Sequence, residues 1–150
     1  MRAVVQRVTQ ASVDIDGQTV GRIGQGYLIL LGVGANDTQE QAERLWQKIC
    51  KLRIFPDGTH HTGSSILDVG GEVLVVSQFT LYADCRKGNR PSFTQAGNPE
   101  TACALYEWFA QRAHQDIEHV ATGEFGADMQ VSLVNDGPFT ICMDTDDWAK

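Results

Sequence analysis

The chain has 150 residues, 42% hydrophobic and 21% charged, which fits one domain (1–150) large enough to bury a core without staples. Nineteen acidic against 12 basic residues give a net charge of −7, which excludes a protein that coats nucleic acid through its overall field but not one with a local phosphate contact. The longest apolar run, Tyr27 to Val33, is far too short to span a bilayer, and Arg2 and Arg7 stand among strand-like residues rather than in a signal-peptide pattern, so a cytoplasmic protein without membrane contact is expected.

In chain order, Ala3–Val8 and Ala11–Ile15 are apolar and β-branched, and Asp16-Gly17 supplies a hairpin turn into Thr19–Ile23. Tyr27–Val33 is apolar on both faces and predicts a covered central strand. Ala42, Leu45, Trp46, Ile49 and Leu52 then recur at helical spacing, predicting a helix over about 38–52 with Asp37 as its cap and Glu40 three residues on. Phe55–Ser65, rich in Gly, Asp, Thr, Ser and His, reads as a loop. Val73–Val76 predicts a buried strand ending at Ser77. Asn98-Pro99 opens a second helix over about 99–114, with Ala102, Leu105, Tyr106, Phe109 and Ala113 as its buried stripe. Ile117–Ala121 is a short strand, Gln130–Val134 and Phe139–Met143 form a strand pair around a Gly-Pro corner, and the polar segment 144–150 is expected to fray. With no repeat and no regular strand–helix alternation, a layered α/β domain is expected, with both helices packed against the sheet.

Cys50, Cys85, Cys103 and Cys142 show neither a Cys-x-x-Cys pair nor a suitably spaced histidine, so packed, reduced thiols are expected and no metal site. Adjacent His60 and His61 chelate one ion poorly and no third ligand is visible, which predicts exposed loop histidines. No cofactor motif is present.

Two stretches carry the chemistry. Ser77-Gln78-Phe79-Thr80-Leu81 places hydroxyl, amide and aromatic groups at the end of a buried strand, where an oxygen-rich ligand can be held. Asn135-Asp136-Gly137-Pro138-Phe139-Thr140 is dense turn chemistry between apolar runs. Neither Ser77 nor Thr80 has a recognisable base, since no Gly-x-Ser-x-Gly elbow exists and none of the histidines falls in a neighbouring segment. Arg86, Lys87 and Arg90 lie within five positions of one another in the loop after the first stretch, either as a solvated loop or as a patch for a few phosphates.

Together the two stretches resemble the signature motifs of the D-aminoacyl-tRNA deacylases. The likeness runs from Met1–Val8 through Arg90-Pro91-Ser92-Phe93 and Phe125-Gly126-Ala127-Asp128-Met129 to Ile141, in the family's order. It implies a mixed, mostly antiparallel, barrel-like sheet with two main helices, and a homodimer that hydrolyses the ester of D-aminoacyl-tRNA, and of mischarged glycyl-tRNA, while rejecting L-aminoacyl-tRNA. In that scheme Ser77, Gln78, Phe79 and Thr80 frame the reacting ester. A cis Gly137–Pro138 unit, supported by Arg7, enters the partner's site as the chiral filter. Phe125, Gly126, Ala127 and Met129 shape the pocket, and Arg86, Lys87 and Arg90 meet tRNA. The terminal ribose 2′-hydroxyl supplies the assistance the protein lacks, with Thr80 an accessory donor or, in the competing version, a covalent nucleophile. Two departures stand out: His60–Ser65 replaces a Lys-Met-Asn-like stretch, and Glu124 stands where a basic residue is usual. The other readings are an editing hydrolase for a different mischarged tRNA and a noncatalytic RNA-binding module.

Overall fold

A computed structural model describes residues 1–148. Its sheet is organised on β1 (Arg2–Ile15), a continuous 14-residue strand where the sequence suggested two pieces. Asp16 and Gly17, both at positive φ (51° and 79°), turn the chain back into β2 (Gln18–Ile23), the backbone that an Asp-Gly hairpin requires. β3 (Gly26–Gly32) lies antiparallel to β1 beyond β2 on the same edge. β4 (Glu72–Ser77) is parallel to β3, and β5 (Val120–Thr122) is parallel to β4. β6 (Gln130–Asp144) lies antiparallel along the other edge of β1, from Asp14↔Gln130 to Arg2↔Asp144. The two apolar runs flanking Gly-Pro therefore do not pair with each other. Both pair with β1, and the corner is an irregularity in one long strand. At the far end β5 returns against β2, where a Cβ on Gly21 would lie 2.7 Å from the Thr122 carbonyl oxygen, so the sheet is a nearly closed barrel.

Side-chain alternation explains why β3 and β4 are apolar on both faces. Tyr27, Ile29, Leu31, Val73 and Val75 point to a core beneath the helices, whereas Leu28, Leu74 and Val76 join Val8, Val13 and Ile23 inside the barrel. The outer core is closed by α1 (Gln39–Lys51) and α3 (Pro99–His114), with Trp46 set edge-on to Phe109 at 5.8 Å. α3 begins at the Asn98 cap and Pro99 as its sequence implied, with the Thr101 amide donating to Asn98 Oδ1 at 2.9 Å. The cap of α1 is Thr38 rather than Asp37, and Gln41 completes the reciprocal box. Asp37 instead accepts from the Gly34 amide and the Met1 amine. A four-residue helix, α2 (Ile66–Val69), which the sequence reading did not assign, follows the 55–65 loop, capped by Ser65 and Asp68. Segment 144–148 is tied down rather than frayed: Arg2 Nε donates to Asp144 at 2.7 Å and Thr145 is buried against the Met1 amine. Ala149 and Lys150 lie outside the described residues. Of the cysteines only Cys50 is buried; Cys85 and Cys142 are exposed, because they fall in a surface loop and on the solvent side of β6.

Arg112 joins the helices, donating to Glu43 of α1 at 2.7 Å and to Asp116 at 2.8 Å. The Arg112 bond draws the Glu43 carboxyl below its ordinary value. Asp116 is lowered first by Trp46 Nε1 and then by Arg112. Both folded values are depressed, so this contribution to stability is present at neutral pH and is lost as the pH falls below the ordinary values of 4.5 and 3.8. Unfolding followed from pH 7 to pH 2 is expected to show a shallower acid loss in Arg112→Gln than in the parent chain. Parallel curves would show that the two carboxylates titrate alike in folded and unfolded chains.

Candidate active site

β4 ends at Ser77, where Gln78 donates its amide to the Leu31 carbonyl at 2.8 Å and leads into a single 3₁₀ turn, Phe79–Tyr82. As the first residues of that turn, Phe79 and Thr80 have amides with no intrahelical acceptor, and no other protein acceptor meets them among the described residues. The Gln78 side-chain amide donates to the Thr80 hydroxyl, which holds both side chains over the turn. Phe79 is 55% exposed and meets Phe93 edge-on at 5.0 Å.

Beside this turn lies a cavity of about 500 Å³. Ser77, Gln78 and Phe79 form one wall, and Phe125, Gly126, Ala127 and Met129 form the opposite one. The remaining wall was not expected: Ala96, Gly97, Pro99 and Ala102, from the approach to α3 and its first turn. Gly97 donates to the Val33 carbonyl at 2.9 Å, and Ala35 donates to Gln95 at 3.0 Å, so this segment is stitched to the end of β3. The available signal was the small residues around the Asn98-Pro99 helix start. Phe125 is positioned from below by Tyr106, 6.0 Å away ring to ring. The Tyr106 hydroxyl donates to the Val75 carbonyl at 3.0 Å, and burial raises its pKa to about 12. None of the lining residues is ionisable. Thr80 stands on the rim, exposed and outside the lining.

The Gly137–Pro138 corner is elsewhere. Its peptide bond is cis, Pro138 is exposed, and neither residue lines the cavity of its own chain. Arg7 lies beneath it, 8% exposed, donating from Nε to the Asp136 carbonyl at 3.0 Å and from a terminal nitrogen to the Ile54 carbonyl. Its guanidinium also faces the Phe139 ring at 4.9 Å. Arg86 is clamped by Asp84, with Nε to Oδ1 at 2.9 Å and a second nitrogen to Oδ2 at 2.7 Å, whereas Lys87 and Arg90 extend from the same exposed loop. Among the described residues no group of three or more His, Cys, Asp or Glu side chains is placed to hold a metal ion. No helix there is long and apolar enough to cross a membrane.

The match to known proteins decides the family. Residues 4–144 match the family described as D-Tyr-tRNA(Tyr) deacylase. The chain belongs to this family. It is 51% identical over 145 residues to a D-aminoacyl-tRNA deacylase of Clostridium botulinum (strain 657 / Type Ba4), covering 97% of each chain. It is 52% identical over 146 residues to one from Thermosipho melanesiensis, again covering 97% of each. Among solved structures, one named c-Myc DNA Unwinding Element Binding Protein superimposes with a TM-score of 0.92 at 42% identity, covering 97% of this chain and 99% of that one. Another, described as a probable eukaryotic D-amino acid tRNA deacylase, has a TM-score of 0.83 at 18% identity over 95% and 97%, a likeness of fold. Members of the deacylase family are hydrolases acting on the ester bond of aminoacyl-tRNA, a proofreading step in translation.

Proposed function

We propose that this deacylase hydrolyses D-aminoacyl-tRNA, and glycyl-tRNA formed in error, to free amino acid and tRNA in the cytoplasm, and leaves L-aminoacyl-tRNA intact. The observation that carries the reading is the neutral cavity beside two unpaired amides. Such a pocket can hold an ester and steady the oxyanion at Phe79 and Thr80, but it lacks a base of its own. The ester between an amino acid and ribose is already reactive, and its neighbouring 2′-hydroxyl is a proton-transfer group fixed at short range. The protein positions and filters while the RNA assists the chemistry.

Chirality is read by rigid groups, because D and L forms differ only in the direction of the side chain. In this reading two chains pair so that the Gly137–Pro138 corner of each reaches the other's pocket, and its carbonyls occupy the space an L side chain would need. Supporting this, the corner is exposed and braced by Arg7, and β6 has a long second edge unpaired among the described residues, with Leu133 and Val134 exposed beside it. Glycine has no side chain to exclude and is therefore accepted.

The test charges one tRNA with D-tyrosine, L-tyrosine and glycine and follows ester loss. Rapid release of D-tyrosine and glycine with L-tyrosine retained is expected. Equal release of D- and L-tyrosine would replace chiral proofreading with general editing, and tRNA binding without turnover would leave a noncatalytic RNA-binding module.

A further inference from the structure

The outer face of α1 concentrates positive charge that the site around Ser77 does not use. Arg44, Lys48 and Lys51 succeed one another at helical spacing, and Arg53 continues the row just beyond the helix. These are four of the chain's 12 basic residues, gathered along one open groove of about 860 Å³ in a protein of net charge −7. Trp148 walls one side, with the Arg44 guanidinium 5.7 Å from its ring centre. None of the four forms an ion pair among the described residues. Of the neighbouring carboxylates, Glu43 and Asp116 are taken up by Arg112, and Asp68, which lies near Arg53, caps α2 through the Ser65 amide. Arg53 is fixed in place by donating to the Gly63 carbonyl at 2.8 Å. The helix dipole accounts for lysines in the last turn, but not for Arg44, Arg53 or the aromatic wall. Like charges at this spacing repel unless an anion meets them.

The groove's position names the anion. Arg53 adjoins Ile54, and Arg7 ties the Ile54 carbonyl to the Asp136 carbonyl, so the basic row ends beside the Gly137–Pro138 corner. On the dimeric deacylase reading, on which this step rests, that corner reaches the partner's pocket, and an acceptor strand leaving the pocket passes over the row. Arg44 to Lys51 covers about 10 Å along the helix axis, room for about three phosphates of a stacked strand at roughly 3.4 Å each. We propose that this groove binds the phosphate backbone of the tRNA whose 3′ end occupies the partner's pocket. Each active site would then be served by two chains in substrate binding as well as in chiral selection.

The experiment measures binding of uncharged tRNA by the full chain across a salt series, for the parent, Lys48→Glu/Lys51→Glu and Lys48→Arg/Lys51→Arg. Unfolding temperature reports that each variant is folded. The Glu pair is expected to weaken binding on the order of tenfold or more and to reduce the slope of log K against log salt by about 2, one for each lost phosphate contact. The Arg pair is expected to retain both. An unchanged slope and affinity in a folded Glu variant would overturn the proposal, as would equal loss in the Arg variant. Because the readout is binding rather than turnover, failure of the deacylation assay would be distinguishable from failure of the groove. If the Glu pair refuses to fold, Lys48→Gln/Lys51→Gln carries the same comparison.

Discussion

A D-aminoacyl-tRNA ending in 2′-deoxyadenosine is expected to be hydrolysed about 10²–10⁴-fold more slowly than the ribose substrate, the range that positioned acid–base assistance supplies. The motive is the composition of the cavity: no lining residue ionises, and neither Ser77 nor Thr80 hydrogen-bonds to a histidine or carboxylate among the described residues. Of the histidines, His119 is occupied with the Arg22 carbonyl at 2.8 Å, while His60 and His61 lie in an exposed loop. With the hydroxyl gone, the pocket retains its amide donors but has no group to move the proton. Thr80→Ala is expected to cost distinctly less, because Thr80 stands on the rim, bonded to Gln78. Single-turnover rates for the two substrates and the variant make the comparison. A normal rate on the deoxy substrate together with a dead Thr80→Ala, or a trapped aminoacyl-Thr80 ester, would put the nucleophile on the protein.

Arg7→Ala is expected to cost at least about 3 kcal/mol of stability, since two carbonyls lose a charged donor and each such bond is worth roughly 1.5–3 kcal/mol. For a chain of this size that lowers the midpoint of thermal unfolding by about 6–12 °C. The effect on selection is expected to exceed the effect on rate. Asp136 and Phe139 flank the corner and both rest on the Arg7 guanidinium, so its removal loosens the filter while leaving Ser77 to Phe79 untouched. Release of L-tyrosine should therefore rise more than release of D-tyrosine falls. Arg7→Lys is expected to rescue only partly, because an ammonium lacks the planar fork that reaches both Ile54 and Asp136. An unchanged midpoint and an unchanged D/L ratio in Arg7→Ala would remove Arg7 from the support of the corner.

What could be read from the sequence was whatever local chemistry decides. Asp16-Gly17 left little choice of turn, and Asn98-Pro99 followed by an apolar stripe set α3 to its terminal residues. Where two local solutions competed, the sequence misled. Asp37 and Thr38 are both good caps, and tertiary structure chose between them because Asp37 is claimed by Gly34 and Met1. The pairing of the segments flanking Gly137-Pro138 could not be read either, since partner choice depends on β1, more than a hundred residues away. The cavity was half legible for the same reason. Ser77–Phe79 and Phe125–Met129 lie in recognisable motifs, whereas Ala96, Gly97 and Ala102 have no chemistry of their own and matter only because Gly97 is bonded to Val33.

The pairing of β1 with β6 also governs how the protein is made. Arg2 meets Asp144 and Asp14 meets Gln130, so the central strand waits with one edge bare until translation has passed residue 144. Nascent chains held short of residue 130 lack both the corner and the strand that carries it. The sheet is therefore completed by a late, long-range event, with the slow folding that such non-local pairing imposes. During synthesis that bare edge is the segment a chaperone would have to shield.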